Sequence, residues 1–113
     1  MIRPATDADI AAFYGQPQVP VRMIVMDNDG VTGIGGLAWC DDGVFAVSWL
    51  TEKAKQYPRE VLRAAMLVRE MIEDVAEPVY ANADQDEPTA DAFLRHIGFR
   101  QEEGRYVYRV ALG

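Results

Sequence analysis

Four cations stand close together in this chain: Lys53, Lys55, Arg59 and Arg63, with Gln56 among them. Glu60 is the only acid within residues 53–63, and no lysine occurs anywhere else. Against a net charge of −7 this is the one local basic patch. Pro58 is suited to a first helical position, so the patch straddles the start of a helix. Cations beside a helix N-terminus suit an anion, above all a phosphate, because free N–H groups and the positive end of the helix dipole converge there. Glu60 opposes this. At about 5 Å from a phosphate and an effective dielectric near 20 it would cost roughly 3 kcal/mol, which two cations within reach would offset. The alternative is bland: an acid in the first turn complements the dipole, and lysines in a polar loop are solvated.

Other reactive residue types lack partners at useful spacing. Asp27-Asn28-Asp29-Gly30 resembles part of a calcium loop, but no glutamate follows where one is needed, and a hairpin turn accounts for it. His96 is the only histidine, which excludes a His-based metal site or a catalytic dyad. Cys40 is the only cysteine, so no internal disulfide forms; beside Trp39 it reads as a small buried side chain rather than a nucleophile. Ser48 has no recognisable triad. No metal is expected. Trp39, Trp49, Tyr106 and Tyr108 read as core or sheet-face residues, although Trp49, just ahead of the basic patch, is also placed to line a cleft.

Periodicity supplies the elements that hold these residues. Ile2–Pro4 reads as a first strand, and Thr6 or Asp7 caps a helix over Ala8–Tyr14. Gly15–Pro20 is a breaker-rich loop. Strands over Val21–Met26, Val31–Cys40 and Val44–Leu50 follow, joined by turns at Asp27–Gly30 and Asp41–Gly43. From Pro58, Val61, Ala65, Val68, Ile72 and Val75 recur at helical spacing, with Arg59, Arg63, Glu70 and Asp74 opposite. Met66 and Leu67 fall off that stripe, which predicts cover on more than one side. Glu77-Pro78 ends the helix, and a strand runs from Val79 towards Ala83–Asp84. A helix over Thr89–Ile97 buries Ala90, Phe93, Leu94 and Ile97. The last strand, Arg105–Leu112, sets Tyr106, Tyr108 and Val110 against Arg105, Val107 and Arg109. The expected architecture is α/β (α+β): one domain over residues 1–113, a mostly antiparallel mixed sheet of about six strands with three helices packed on it.

Composition narrows the setting. A chain of 113 residues, 50% hydrophobic and 26% charged, fits one ordinary globular domain. No apolar run approaches the roughly 20 residues that cross a bilayer, and Met1–Asp7 lacks the layout of a secretory signal. A cytoplasmic setting is expected. The negative net charge disfavours nucleic acid and anionic membrane as partners.

Residues 79–99 carry a resemblance. A short strand, an acidic Pro-containing turn, and a helix with Ala90 eight residues ahead of Gly98-Phe99 are similar to the C-terminal signature of the GNAT superfamily of N-acetyltransferases. The element order is similar over nearly the whole chain, except that Gly15–Pro20 leaves no room for the family's second helix. The resemblance implies acetyl-CoA as cosubstrate and a small amine or protein amine as acceptor, joined by direct attack. It places the pyrophosphate at the start of the long helix and implies cofactor contacts from Trp49, Leu50, Lys53, Lys55, Gln56, Arg59 and Arg63, with Trp49 beside the acyl chain. It also exposes departures. The family's Gln/Arg-x-x-Gly-x-Gly/Ala loop corresponds to Gln56–Val61, where Arg59 and Val61 replace the glycines that let backbone approach phosphate. The position of the family's proton-donating tyrosine is Leu94, beside Phe93, and that of a frequent asparagine is Glu87. Glu52, Asp84 or Tyr57 could act as a base through water, but no catalytic residue is assigned.

Two readings therefore stand. One is a divergent acetyl-CoA-dependent N-acyltransferase, with backbone N–H groups of strand 44–50 polarising the thioester. The other is a non-catalytic protein on the same scaffold, used for binding or assembly, with a homodimer among its expected forms. The run Tyr57–Ala65 is similar to GNAT-like proteins encoded by bacteriophages, which suits the second.

Overall fold

The computed structural model describes residues 1–82 and 90–109. Its strands are β1 (Ile2–Pro4), β2 (Val21–Asp27), β3 (Val31–Cys40), β4 (Gly43–Leu50), β5 (Val79–Ala81), β6 (Arg100–Glu102) and β7 (Arg105–Tyr108). They form one seven-stranded sheet in the order β1-β2-β3-β4-β5-β7-β6. Every neighbouring pair is antiparallel except β4–β5. Three helices, α1 (Asp7–Tyr14), α2 (Pro58–Val75) and α3 (Ala90–Ile97), complete an α+β fold. No helix among the described residues is long and apolar enough to cross a membrane.

The two faces of the sheet bury different helices. Along β3, Ile34 and Leu37 are three residues apart and so point to opposite faces. Ile34 joins Met23, Val25 and Ile10 of α1, with Phe13 packed alongside. Leu37 joins Val44, Val79, Ala65 and Ile72 of α2, and Ile97 and Phe99 at the end of α3. At the start of α1, Thr6 Oγ1 accepts the Asp9 N–H while the Asp9 carboxylate accepts the Thr6 N–H, a reciprocal capping box. Arg3 donates to both Asp9 and Asp27 and so ties β1, α1 and β2 together. The chain runs from α1 to β2 through Gly15–Pro20 without another helix.

The sheet has one strand more than expected. Arg100-Gln101-Glu102 shows no apolar alternation, yet it pairs with β7 through a turn at Glu103 and Gly104, whose φ angles are 52° and 82°. That hairpin places β7 inside the sheet, between β5 and β6. Val107, expected on a polar face, is therefore buried along with Tyr106 and Tyr108. Met66 and Leu67 depart from expectation in the other direction: both are exposed, and no described element covers that side of α2. Val110 and the strand residues expected beyond it, like Ala83, Asp84, Glu87 and Thr89, lie outside the described residues.

The Gly98-Phe99 corner has a full physical account. Gly98 N–H donates to Arg95 O at 3.2 Å and Phe99 N–H to Leu94 O at 2.9 Å, the paired bonds of a Schellman helix end. Gly98 has φ +115°, and a Cβ there would sit 2.5 Å from the Tyr108 ring. Phe99 is 2% exposed and meets Tyr108 edge to face at 5.7 Å.

Candidate functional site

The site is organised by β4. This strand pairs with β3 along its whole length, from Cys40↔Gly43 to Gly33↔Leu50. With β5 it pairs only at Val44↔Val79 and Phe45↔Tyr80. From Ala46 to Leu50 its far edge has no strand partner among the described residues, and the β4–β5 ladder ends at Phe45. An open parallel edge presents backbone N–H and C=O groups to whatever enters the notch. The side chains follow the same gradient: Val44 is buried, whereas Ser48, Trp49 and Leu50 are exposed.

Beyond Leu50 the chain makes a 3₁₀ turn, Glu52–Gln56, before α2 begins. Three contacts with the β2–β3 hairpin hold this turn. Thr51 extends the β3–β4 ladder, its N–H and Oγ1 both donating to Thr32 O at 3.0 and 2.8 Å. Lys53 Nζ donates to Asn28 O at 3.0 Å. Ala54 is 1% exposed. The start of α2 is thus fixed relative to the open edge of β4.

No side chain caps α2. Its first helical bond runs from Val61 N–H to Tyr57 O at 3.0 Å. Pro58 has no N–H, so the Arg59 and Glu60 amides are the donors of the first turn left without a partner among the described residues. An open depression of about 410 Å³ lies at this corner, lined by Gln56, Tyr57, Pro58, Arg59, Glu60 and Arg63. Glu60 is engaged by partners of the protein itself: its carboxylate accepts from Asn28 Nδ2 at 2.9 Å and from the Met1 amino group at 3.2 Å. The Asn28 hydrogen bond is the main cause holding the Glu60 carboxyl below its ordinary range, against opposing desolvation. Asn28 Nδ2 also bonds the hydroxyl of Thr32, which is 2% exposed and donates to Met26 O.

The structure separates the seven expected contact residues. Gln56, Arg59 and Arg63 meet around the depression. Lys53 is bound to Asn28, and Lys55 pairs with Glu52 at 3.3 Å on the surface. Trp49 and Leu50 lie on opposite faces. Leu50 covers Gly33, where a Cβ would sit 2.8 Å from Leu50 Cδ2. Trp49, 53% exposed, stands edge-on to Phe13 and Tyr14 at 6.2 and 6.3 Å. Among the proposed bases, Glu52 is solvated and paired with Lys55, Tyr57 borders the depression, and Asp84 is outside the described residues.

Remaining candidates take structural roles. Asp27 salt-bridges Arg3, and its carboxylate accepts the Gly30 N–H at 3.2 Å within the β2–β3 turn. His96 is exposed. Leu94 and Phe93 pack against the core. The Tyr108 hydroxyl donates to Glu73 Oε1 at 2.7 Å and accepts from Arg69 Nε at 3.0 Å; burial is the first cause raising its pKa. Asn28, Thr32 and Thr51 were invisible as site-positioning residues, because their contacts join segments far apart in sequence. No protein-family model, curated protein or solved structure matches this chain.

Proposed function

We propose that this protein is a small, divergent N-acyltransferase of the GNAT kind, moving an acetyl group from acetyl-CoA to an amine. The observation that carries the reading is the parting of β4 from β5 after Phe45, beside an uncapped helix start bordered by two arginines. In this reading the pantetheine arm lies along the open edge of Ala46–Leu50 and hydrogen-bonds its unpaired backbone groups. The pyrophosphate meets the Arg59 and Glu60 amides and the side chains of Arg59, Arg63 and Gln56. Glu60, held by Asn28, opposes the phosphate less than a free carboxylate would. The amine nitrogen attacks the thioester carbonyl carbon; the C–S bond breaks as the amide bond forms, and the amine proton passes through solvent to the coenzyme A thiolate. A β4 amide donating to the carbonyl oxygen stabilises the developing charge. Trp49, Phe13 and Tyr14 border the acceptor side, which is open because no helix stands between α1 and β2.

Isothermal titration with acetyl-CoA tests this. Binding in the range of about 10 to 100 µM is expected for a cradle of two amides and two arginines. Absence of heat at about 1 mM ligand contradicts it.

One observation favours the non-catalytic alternative. Phe93 and Leu94 are apolar side chains packed against the core and the Tyr108 hydroxyl is bound by Glu73 and Arg69, so these positions offer the leaving thiolate no proton donor. Acetyl-CoA binding without release of free thiol in the presence of a panel of amines would select that reading.

A further inference from the structure

The outward face of α2 orders its charges around an apolar centre. Leu62, Met66 and Leu67 are 46%, 46% and 39% exposed, and with Ile2 they border an open depression of about 420 Å³. Arg59 and Arg63 lie on the N-terminal half of the same face; Glu70 and Asp74 lie on its C-terminal half. Spacings of three and four residues put Arg59, Arg63, Met66, Glu70 and Asp74 on one stripe, and each is exposed. Those four charged side chains form no hydrogen bond or ion pair among the described residues.

We propose that this face pairs with the same face of a second copy, the two α2 helices running antiparallel about a two-fold axis between Met66 and Leu67. In a two-fold interface residue i meets j and j meets i. About this axis Arg63 of each copy faces Glu70 of the other, Arg59 faces Asp74, and Met66 packs on Leu67. Every charge on the stripe meets its opposite. A parallel pairing sets arginine against arginine and acid against acid, so the charge pattern itself selects the antiparallel partner. The apolar residues sit at the centre and the charges at the rim, the usual anatomy of a contact surface. The stripe is about 22 Å long and smaller than the roughly 800 Å² per partner of a standard interface. The dimer is therefore weak and reversible.

This inference does not depend on the transferase reading, although Arg59 and Arg63 border both surfaces; the experiment accordingly omits nucleotide and reads mass alone. Sedimentation velocity from about 1 to about 500 µM is expected to show a monomer–dimer equilibrium. Arg63→Glu and Glu70→Arg are each expected to weaken it about tenfold, since each creates two like-charge contacts by symmetry. The double variant Arg63→Glu/Glu70→Arg restores the opposite pairs and is expected to return association close to that of the unaltered protein. Both positions are exposed, and unchanged far-UV circular dichroism and melting confirm that the variants fold. Monomer mass at every concentration overturns the proposal, leaving the face free or taken by a different partner. A dimer indifferent to Arg63→Glu, or a double variant as weak as the singles, also overturns it.

Discussion

The end of α3 and the start of α2 are the two corners at which the sequence pattern expected of an acyltransferase is most and least complete. At the end of α3 every residue of the Gly-Phe pair has a mechanical reason to be there: a positive φ, two closing hydrogen bonds, and an aromatic ring that leaves no room for a Cβ. At the start of α2 no glycine is present, the helix is uncapped, and Arg59 and Arg63 border the depression. The difference teaches that the two corners answer to different demands. One is fixed by packing, which tolerates few substitutions; the other, in the proposed reading, by binding, which charge can serve in place of geometry.

Substitutions at the two corners should therefore separate stability from affinity. The largest effect is expected from Gly98→Ala, which forces a Cβ onto the Tyr108 ring at a backbone angle hostile to L-residues. A loss of about 3 kcal/mol is expected in urea denaturation. A change below about 0.5 kcal/mol would mean that the corner is not tightly packed.

Next comes Arg59→Ala. It should leave urea stability within about 0.5 kcal/mol, as for other exposed sites. Coenzyme A binding should weaken about tenfold, the loss of one charge-assisted contact, while pantetheine, which lacks the pyrophosphate, binds as before. Equal losses for both ligands would remove the phosphate from that corner.

The smallest effect is expected at the other end of α2, where Ala76 closes the helix in the left-handed region at φ 59°, ψ 29°. Ala76→Gly relieves that cost and is expected to stabilise the fold by about 0.5 kcal/mol. Thermal melting reads the gain. A lower melting temperature would show that the added chain entropy outweighs the relief.

Much of this division was legible in the residues. The turns at Asp27–Gly30 and Asp41–Gly43, the helix start at Pro58 and the stop at Gly98 were readable because each depends on a local backbone requirement. Their strands and helices emerged within a residue or two of the expected bounds. β6 was not readable, since Arg-Gln-Glu owes its strand geometry to a partner that follows it. Alternation marks a strand covered on one side and so sets Val107 on a polar face, whereas Val107 is buried along with Tyr106 and Tyr108. At the site, the basic patch was visible but its partition was not. Lys53 finds Asn28 and Glu60 finds Asn28 across the fold, and no short-range pattern carries such contacts. The opposite facing of Trp49 and Leu50 follows from strand alternation alone and was available from the start.

The central claim is that the open edge of β4 and the first turn of α2 form one ligand cleft. Titration of ¹⁵N-labelled protein with coenzyme A, followed by amide chemical shifts, tests it residue by residue. The account predicts coupled, saturable shifts at Ala46–Leu50 and at Tyr57, Arg59 and Glu60, with Gly98 and Phe99 little changed. Shifts confined to one of those two segments, or none at saturating ligand, would contradict it.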